Sequence, residues 1–121
     1  MLKRVIAFIV FMSVSAAYAG VFEDAMSKQK TVLLYLYSND CNMCNKFLPV
    51  YNELKKTNND VNFIKVDADT QYGYGLMKKF KGFYVPFVVL ASPKTKKHAV
   101  INPYCSFDEV CIKRAIKSFN K

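Results

Sequence analysis

The stretch TVLLYLYSNDCNMCNKFLPVY, residues 31–51, decides how the rest of the chain is read. Thr31 to Tyr37 is a continuous run of β-branched, leucine and aromatic residues, the composition of a strand buried on both faces. After Asn39-Asp40 the apolar residues change to helical spacing, with Met43, Phe47, Leu48, Tyr51 and Leu54 on one face until Thr57-Asn58-Asn59-Asp60 ends the pattern. Pro49 lies inside this predicted helix, Met43 to Lys56, and should kink it by removing one backbone donor. Cys41 and Cys44 therefore fall at a strand-to-helix junction, three residues apart.

That placement carries chemistry. Two cysteines at this spacing can close a small disulfide, and the unpaired N–H groups and dipole of a helix N-terminus stabilise negative charge on the first sulfur. Cys41 is the candidate attacking thiolate. Cys44, one turn further in, is placed to displace a substrate from a mixed disulfide. A CxxC alone is also used by zinc knuckles, copper chaperones and structural bridges, so its surroundings must discriminate.

Outward from the junction, helices and strands alternate. Val21 to Lys30 is a short predicted helix, Val61 to Asp67 a second strand, and Gln71 to Phe80 a helix despite Gly73 and Gly75. Pro86 to Ala91 reads as a third strand, Ser92 to Lys96 as a hairpin turn, and His98 to Ile101 as a fourth strand. Ser106-Phe-Asp-Glu109 has the form of a capping box opening a terminal helix, with Val110, Ala115, Ile116 and Phe119 on its apolar face. The order αβαβαββα implies an α/β fold, a mixed central sheet of about four strands with helices on both faces.

The 121 residues are 52% apolar, which excludes disordered and collagenous classes and suits one small domain. Residues 1–19 have the form of a secretory signal peptide: Lys3-Arg4, an apolar run from Val5 to Met12, and the small residues of Ala17-Tyr18-Ala19 before Gly20. The uncharged stretch from Val5 to Ala19 is shorter than the ~20 residues that span a bilayer, so cleavage and no stable membrane insertion are expected. Residues 20–121 are then an exported domain, periplasmic or secreted. Removing Lys3 and Arg4 from a chain of net charge +9 still leaves it basic, but the remaining lysines are scattered in ones and twos. A solvated surface with weak attraction to anionic membrane is the reading, and no nucleic-acid partner is expected. Four cysteines in an oxidising compartment favour disulfides over structural zinc.

The run Val32 to Ser38, the Cys41-Asn-Met-Cys44 motif, Pro49, Lys65-Val-Asp-Ala-Asp69 and Val85-Pro86 together resemble the thioredoxin family across nearly all of residues 21–119. The resemblance implies a thioredoxin-like fold, a cis bond before Pro86 beside the CxxC, and a Val85 backbone that pairs with an incoming substrate chain. It also places Tyr104 on the substrate side of the last loop. Phe83, Tyr84 and Phe87 are an aromatic cluster beside it, with Phe87 assigned to the core. Departures from the family pattern are specific. Asp40 stands where the family has Trp, and Tyr35 stands where it has the buried acid that moves protons to and from the second sulfur. The lysine associated with that acid is kept as Lys65, the candidate for proton transfer.

Cys105 and Cys111 flank the start of the terminal helix, and a local disulfide there is expected to act as a stabilising staple, with a second redox pair as the alternative. His98, the only histidine, is an ordinary strand residue. The sequence reading is thus an exported thiol:disulfide oxidoreductase that needs no metal or cofactor. Its partners are protein thiols and disulfides and a redox partner that recycles the CxxC. Asn42-Met43 does not set the direction, and comparison with small exported thioredoxin-like proteins favours reductase. Two other readings stay open: a soft-metal carrier holding Cu(I) at Cys41 and Cys44, with Met43 as an optional third ligand, and a non-catalytic interaction module.

Overall fold

In the computed structural model, residues 20–121 are described, and the expected signal peptide, residues 1–19, lies outside them. The elements are α1 (Val21–Met26), β1 (Thr31–Tyr37), α2 (Asn42–Thr57), β2 (Val61–Asp67), α3 (Gln71–Lys79), β3 (Phe87–Ala91), β4 (His98–Val100), a 3₁₀ turn (Cys105–Phe107) and α4 (Glu109–Phe119). The four strands form one sheet in the order β2-β1-β3-β4. β1 pairs parallel with β2, from Thr31 opposite Val61 to Tyr37 opposite Asp67, and antiparallel with β3, Tyr35 facing Val88.

β1 is central because its side chains have apolar partners on both sides. Leu33 and Tyr35 point into a cluster with Phe47 and Leu54 of α2 and Ile112 and Ile116 of α4. Val32, Leu34 and Leu36, alternating with them, point into a second cluster with Phe22 of α1 and Leu76 and Met77 of α3. Two helices therefore cover each face. Burying each large aliphatic side chain in this way contributes about 1.5–3 kcal/mol.

Helix ends depart from the sequence reading in instructive ways. α1 stops at Met26, earlier than expected, and its N-cap Gly20 has no side chain to offer. The Tyr72 hydroxyl of α3 takes the cap's place, accepting the Phe22 N–H at 3.0 Å and donating to Glu23 Oε1 at 2.6 Å. Burial and the Glu23 contact push the Tyr72 phenol up to about 12, so it stays protonated and able to donate. A Cβ at Gly20 would overlap the Tyr72 ring. β3 starts at Phe87, with Pro86 outside it.

The terminal helix corrects the capping-box reading. Cys105–Phe107 coils into a 3₁₀ turn that buries Ser106, and Asp108 becomes the N-cap, accepting from the N–H groups of Val110 and Cys111. Val110 lies six residues before Ile116, about 240° around the helix, so it cannot share that residue's face. Val110 is exposed, and Ile112 takes the core position with Ile116. Pro49 does not divide α2, which runs unbroken to Thr57. The proline is exposed, so the Asn45 carbonyl deprived of its donor is left on the solvent side.

The two glycines of α3 have opposite roles. Gly73 packs backbone to backbone against the end of β2, and a Cβ there would overlap the Asp67 carbonyl, whereas a Cβ at Gly75 meets nothing within 4 Å. Gly73→Ala should therefore destabilise the fold by roughly 1–3 kcal/mol or more, and Gly75→Ala should stabilise it by about 0.5–1 kcal/mol. Urea midpoints of the two variants check this, and shifts of the same sign would contradict the packing of α3 on β2.

Candidate active site: the Cys41–Cys44 disulfide

β1 ends at Tyr37, and the chain turns through Ser38 to Asp40 into α2. Cys41 is the N-cap: its extended backbone starts the helix, and its Sγ accepts the Cys44 N–H at 3.0 Å. Cys41 and Cys44 are joined as a disulfide with Cα atoms 5.1 Å apart. The two sulfurs are unequal in access, since Cys41 is half-buried while Cys44 is only 3% exposed, within the core cluster. An incoming reactant therefore meets Cys41 first.

An apolar hollow of about 180 Å³ is lined by Met43, which stands between the two cysteines in the chain, and by Tyr84, Val85, Pro86, Pro103 and Phe107. The Val85–Pro86 peptide bond is cis. The main-chain N–H and C=O of Val85 belong to no strand ladder and to none of the turn and loop hydrogen bonds of the described residues, which leaves a donor and an acceptor open for an extended chain. Phe83 and Tyr104 are 87% and 91% exposed. Tyr104 is not among the hollow's walls; its neighbours Pro103 and Phe107 are. Sequence reasoning missed these two, together with Met43. Phe107 was hidden by the capping-box reading, which put it inside a helix. Phe87 is in the core, as expected.

A separate cleft of about 240 Å³ reaches Cys44 between Tyr35, Tyr37, Asn45, Leu48 and Lys65. Tyr35, at the position of the family's acid, donates its hydroxyl to the Cys44 carbonyl at 3.1 Å. Its ring packs edge-on against Phe47 at 4.7 Å and tilted against Tyr51 at 5.4 Å. Burial pushes the Tyr35 phenol up to about 12, with Tyr37 and Tyr51 adding to the effect. It is thus a donor that anchors the first turn of α2, in place of a titrating base. Lys65 borders the cleft with Nζ 5.1 Å from the Tyr37 ring centre, on an exposed side chain. No Asp or Glu lines this cleft.

Cys105 and Cys111 form the second disulfide, Cα atoms 5.4 Å apart, between the 3₁₀ turn and the first turn of α4. His98 opens β4, exposed, with its ring 5.0 Å from that of Phe80. Among the described residues no three His, Cys, Asp or Glu side chains gather in metal-binding positions.

Comparison with known proteins places this geometry. The thioredoxin family profile matches residues 13–104. No curated protein matches the chain. Among solved structures, oxidised thioredoxin O2 from Arabidopsis thaliana is similar at 26% identity and TM-score 0.62, over 83% of this chain and 87% of that one. The oxidised thioredoxin of Plasmodium falciparum shares the fold at 20% identity and TM-score 0.63, over 81% and 88% of the two chains. A Trichomonas vaginalis thioredoxin does so at 20% and 0.61, over 84% and 94%. The family match takes in β1, both cysteines of the CxxC and Pro86, and the chain belongs to the thioredoxin family, a thiol–disulfide oxidoreductase with Cys41–Cys44 as its CxxC pair.

Proposed function

We propose that this protein is an exported reductase of protein disulfides, with Cys41 as nucleophile, Cys44 as resolving cysteine, and the hollow at Val85 and Pro86 as the substrate site. The observation that carries the reading is the unequal access of the two sulfurs at a helix N-terminus, Cys41 half-buried and Cys44 in the core cluster. In the reduced state the helix dipole and the Cys44 N–H favour the Cys41 thiolate. That thiolate attacks a substrate disulfide, forming a Cys41–substrate bond and releasing one substrate thiolate, which takes up a proton. Cys44 then loses its proton into the cleft bordered by Lys65, attacks the Cys41 sulfur, and releases the second substrate thiolate. Two electrons pass from the cysteine pair to the substrate, and a dithiol partner returns them.

Val85 supplies main-chain donor and acceptor groups for an extended substrate segment, and the apolar walls take a side chain beside the reacting cysteine. Lys65 stands in this scheme as the charged group nearest the exit for the Cys44 proton. Export rests on the basic, apolar and small-residue segments of residues 1–19, which would deliver the protein to the periplasm or outside the cell with Gly20 as its first residue.

Two measurements test this. Cys41→Ser should abolish insulin reduction, whereas Cys44→Ser should accumulate a covalent mixed disulfide with substrate, because it keeps the attacker and loses the resolver. Undiminished turnover by Cys41→Ser would end the assignment. Intact mass of the exported protein should correspond to a chain starting at Gly20, and a membrane-embedded chain retaining residues 1–19 would overturn the processing and the soluble location.

A further inference from the structure

We propose that the Cys105–Cys111 disulfide positions one wall of the substrate hollow, so that affinity for protein substrates depends on a bridge that takes no part in the exchange. The proposal rests on the reading of that hollow as the substrate site. The hollow has three walls of different anchorage. Met43 stands on α2, a sixteen-residue helix whose buried face includes Phe47 and Leu54. Tyr84, Val85 and Pro86 lead directly into β3, all five residues of which are buried. Pro103 and Phe107 come from the segment between β4 and α4.

This third wall is hydrogen-bonded within itself and meets α2 and α4 through packing. The Tyr104 N–H bonds the Asn102 side chain, the Cys105 N–H bonds the Asn102 carbonyl, and the Asp108 N–H bonds the Cys105 carbonyl. Asp108 in turn caps Val110 and Cys111. Among the described residues, every hydrogen bond of residues 102–108 stays within this segment and the first turns of α4, with none to β3 or α2. β4, which precedes it, has three residues at the sheet edge. The bridge joins the Asp108 cap in holding the turn to α4, whose Ile112 and Ile116 are embedded in the core, and it is the one covalent tie between them besides the chain itself.

Phe107 lies inside the ring closed by Cys105 and Cys111, so breaking the bridge frees the backbone that aims its ring. The cysteines do not line the substrate hollow. They line a separate apolar depression of about 380 Å³ with Leu90, Ile101 and Phe119. A second redox centre acting on the same bound substrate would have to front the first hollow, and this one does not. Cys105 and Cys111 are positioning residues that work through Pro103 and Phe107, because a wall ordered before binding spares the substrate the cost of ordering it.

The test compares kinetics on insulin with kinetics on a small aromatic disulfide, 5,5′-dithiobis(2-nitrobenzoic acid), at a temperature well below the Tm of each variant. Cys105→Ala/Cys111→Ala should raise KM for insulin roughly tenfold with kcat retained, while turnover of the small disulfide stays within about twofold of wild type. Phe107→Ala, which keeps the bridge, should give the same rise in KM for insulin. A staple that only stabilises would lower Tm and leave KM unmoved, and that result in the folded double variant overturns the proposal. Equal losses on both substrates also overturn it, since they place the effect on the CxxC itself. Wild-type protein inert on the small disulfide would instead remove the oxidoreductase reading on which the proposal stands.

Discussion

The structure depends on the burial of both faces of β1. Val32, Leu33, Leu34, Tyr35 and Leu36 are each no more than 2% exposed, which leaves a seven-residue strand no place except the middle of the sheet between two helical layers. Alternation along the strand sends Leu33 and Tyr35 to α2 and α4 and the others to α1 and α3. Because β1 and β2 run parallel, their ends open on the same edge, where the Ala68 N–H bonds the Tyr37 carbonyl at 2.7 Å. Reactive groups at the carboxyl ends of parallel strands stand clear of the sheet. The CxxC leaves β1 at that edge.

Two environments adjoin the CxxC segment. One is apolar, walled by Met43, Val85, Pro86, Pro103 and Phe107, and is the proposed substrate site. The other is a cleft reaching Cys44, with polar groups from Ser38, Asn39, Asn45 and Lys65. Disulfide exchange needs both, an apolar seat for the chain bearing the reacting cysteine and an exit for the proton of the resolving thiol. Cys41 is half-buried while Cys44 is only 3% exposed, and in the proposed mechanism this difference in access sets the order of attack together with the helix dipole.

Tyr35 changes the family's internal chemistry at one position. Burial raises the pKa of a carboxyl group from its low ordinary value and leaves it able to exchange its proton; a buried phenol raised to about 12 stays protonated. The side chain contributes rigidity, through its bond to the Cys44 carbonyl and its contacts with Phe47 and Tyr51. In the proposed mechanism the Cys44 proton leaves through the cleft that Lys65 borders.

The CxxC, the central strand and the order of elements were legible because they are local. A run such as Val32–Leu36 has one stable setting, and two cysteines three residues apart at a helix start meet whatever the rest of the chain does. The sequence by itself determined the fold class, the reactive pair, and the absence of a carboxylate at residue 35. What it could not express is what depends on packing between distant segments. Asp108 displaced Ser106 as the cap because the 3₁₀ turn drew Ser106 inside. Tyr72 capped α1 across fifty residues of chain. Pro103 and Phe107, in place of Tyr104, became the third wall of the hollow. Each of these was decided by the tertiary structure, since a cap or a wall is defined by which groups come within a few ångströms in space, and spacing along the chain carries that information only inside one turn of helix or one pair of strand residues.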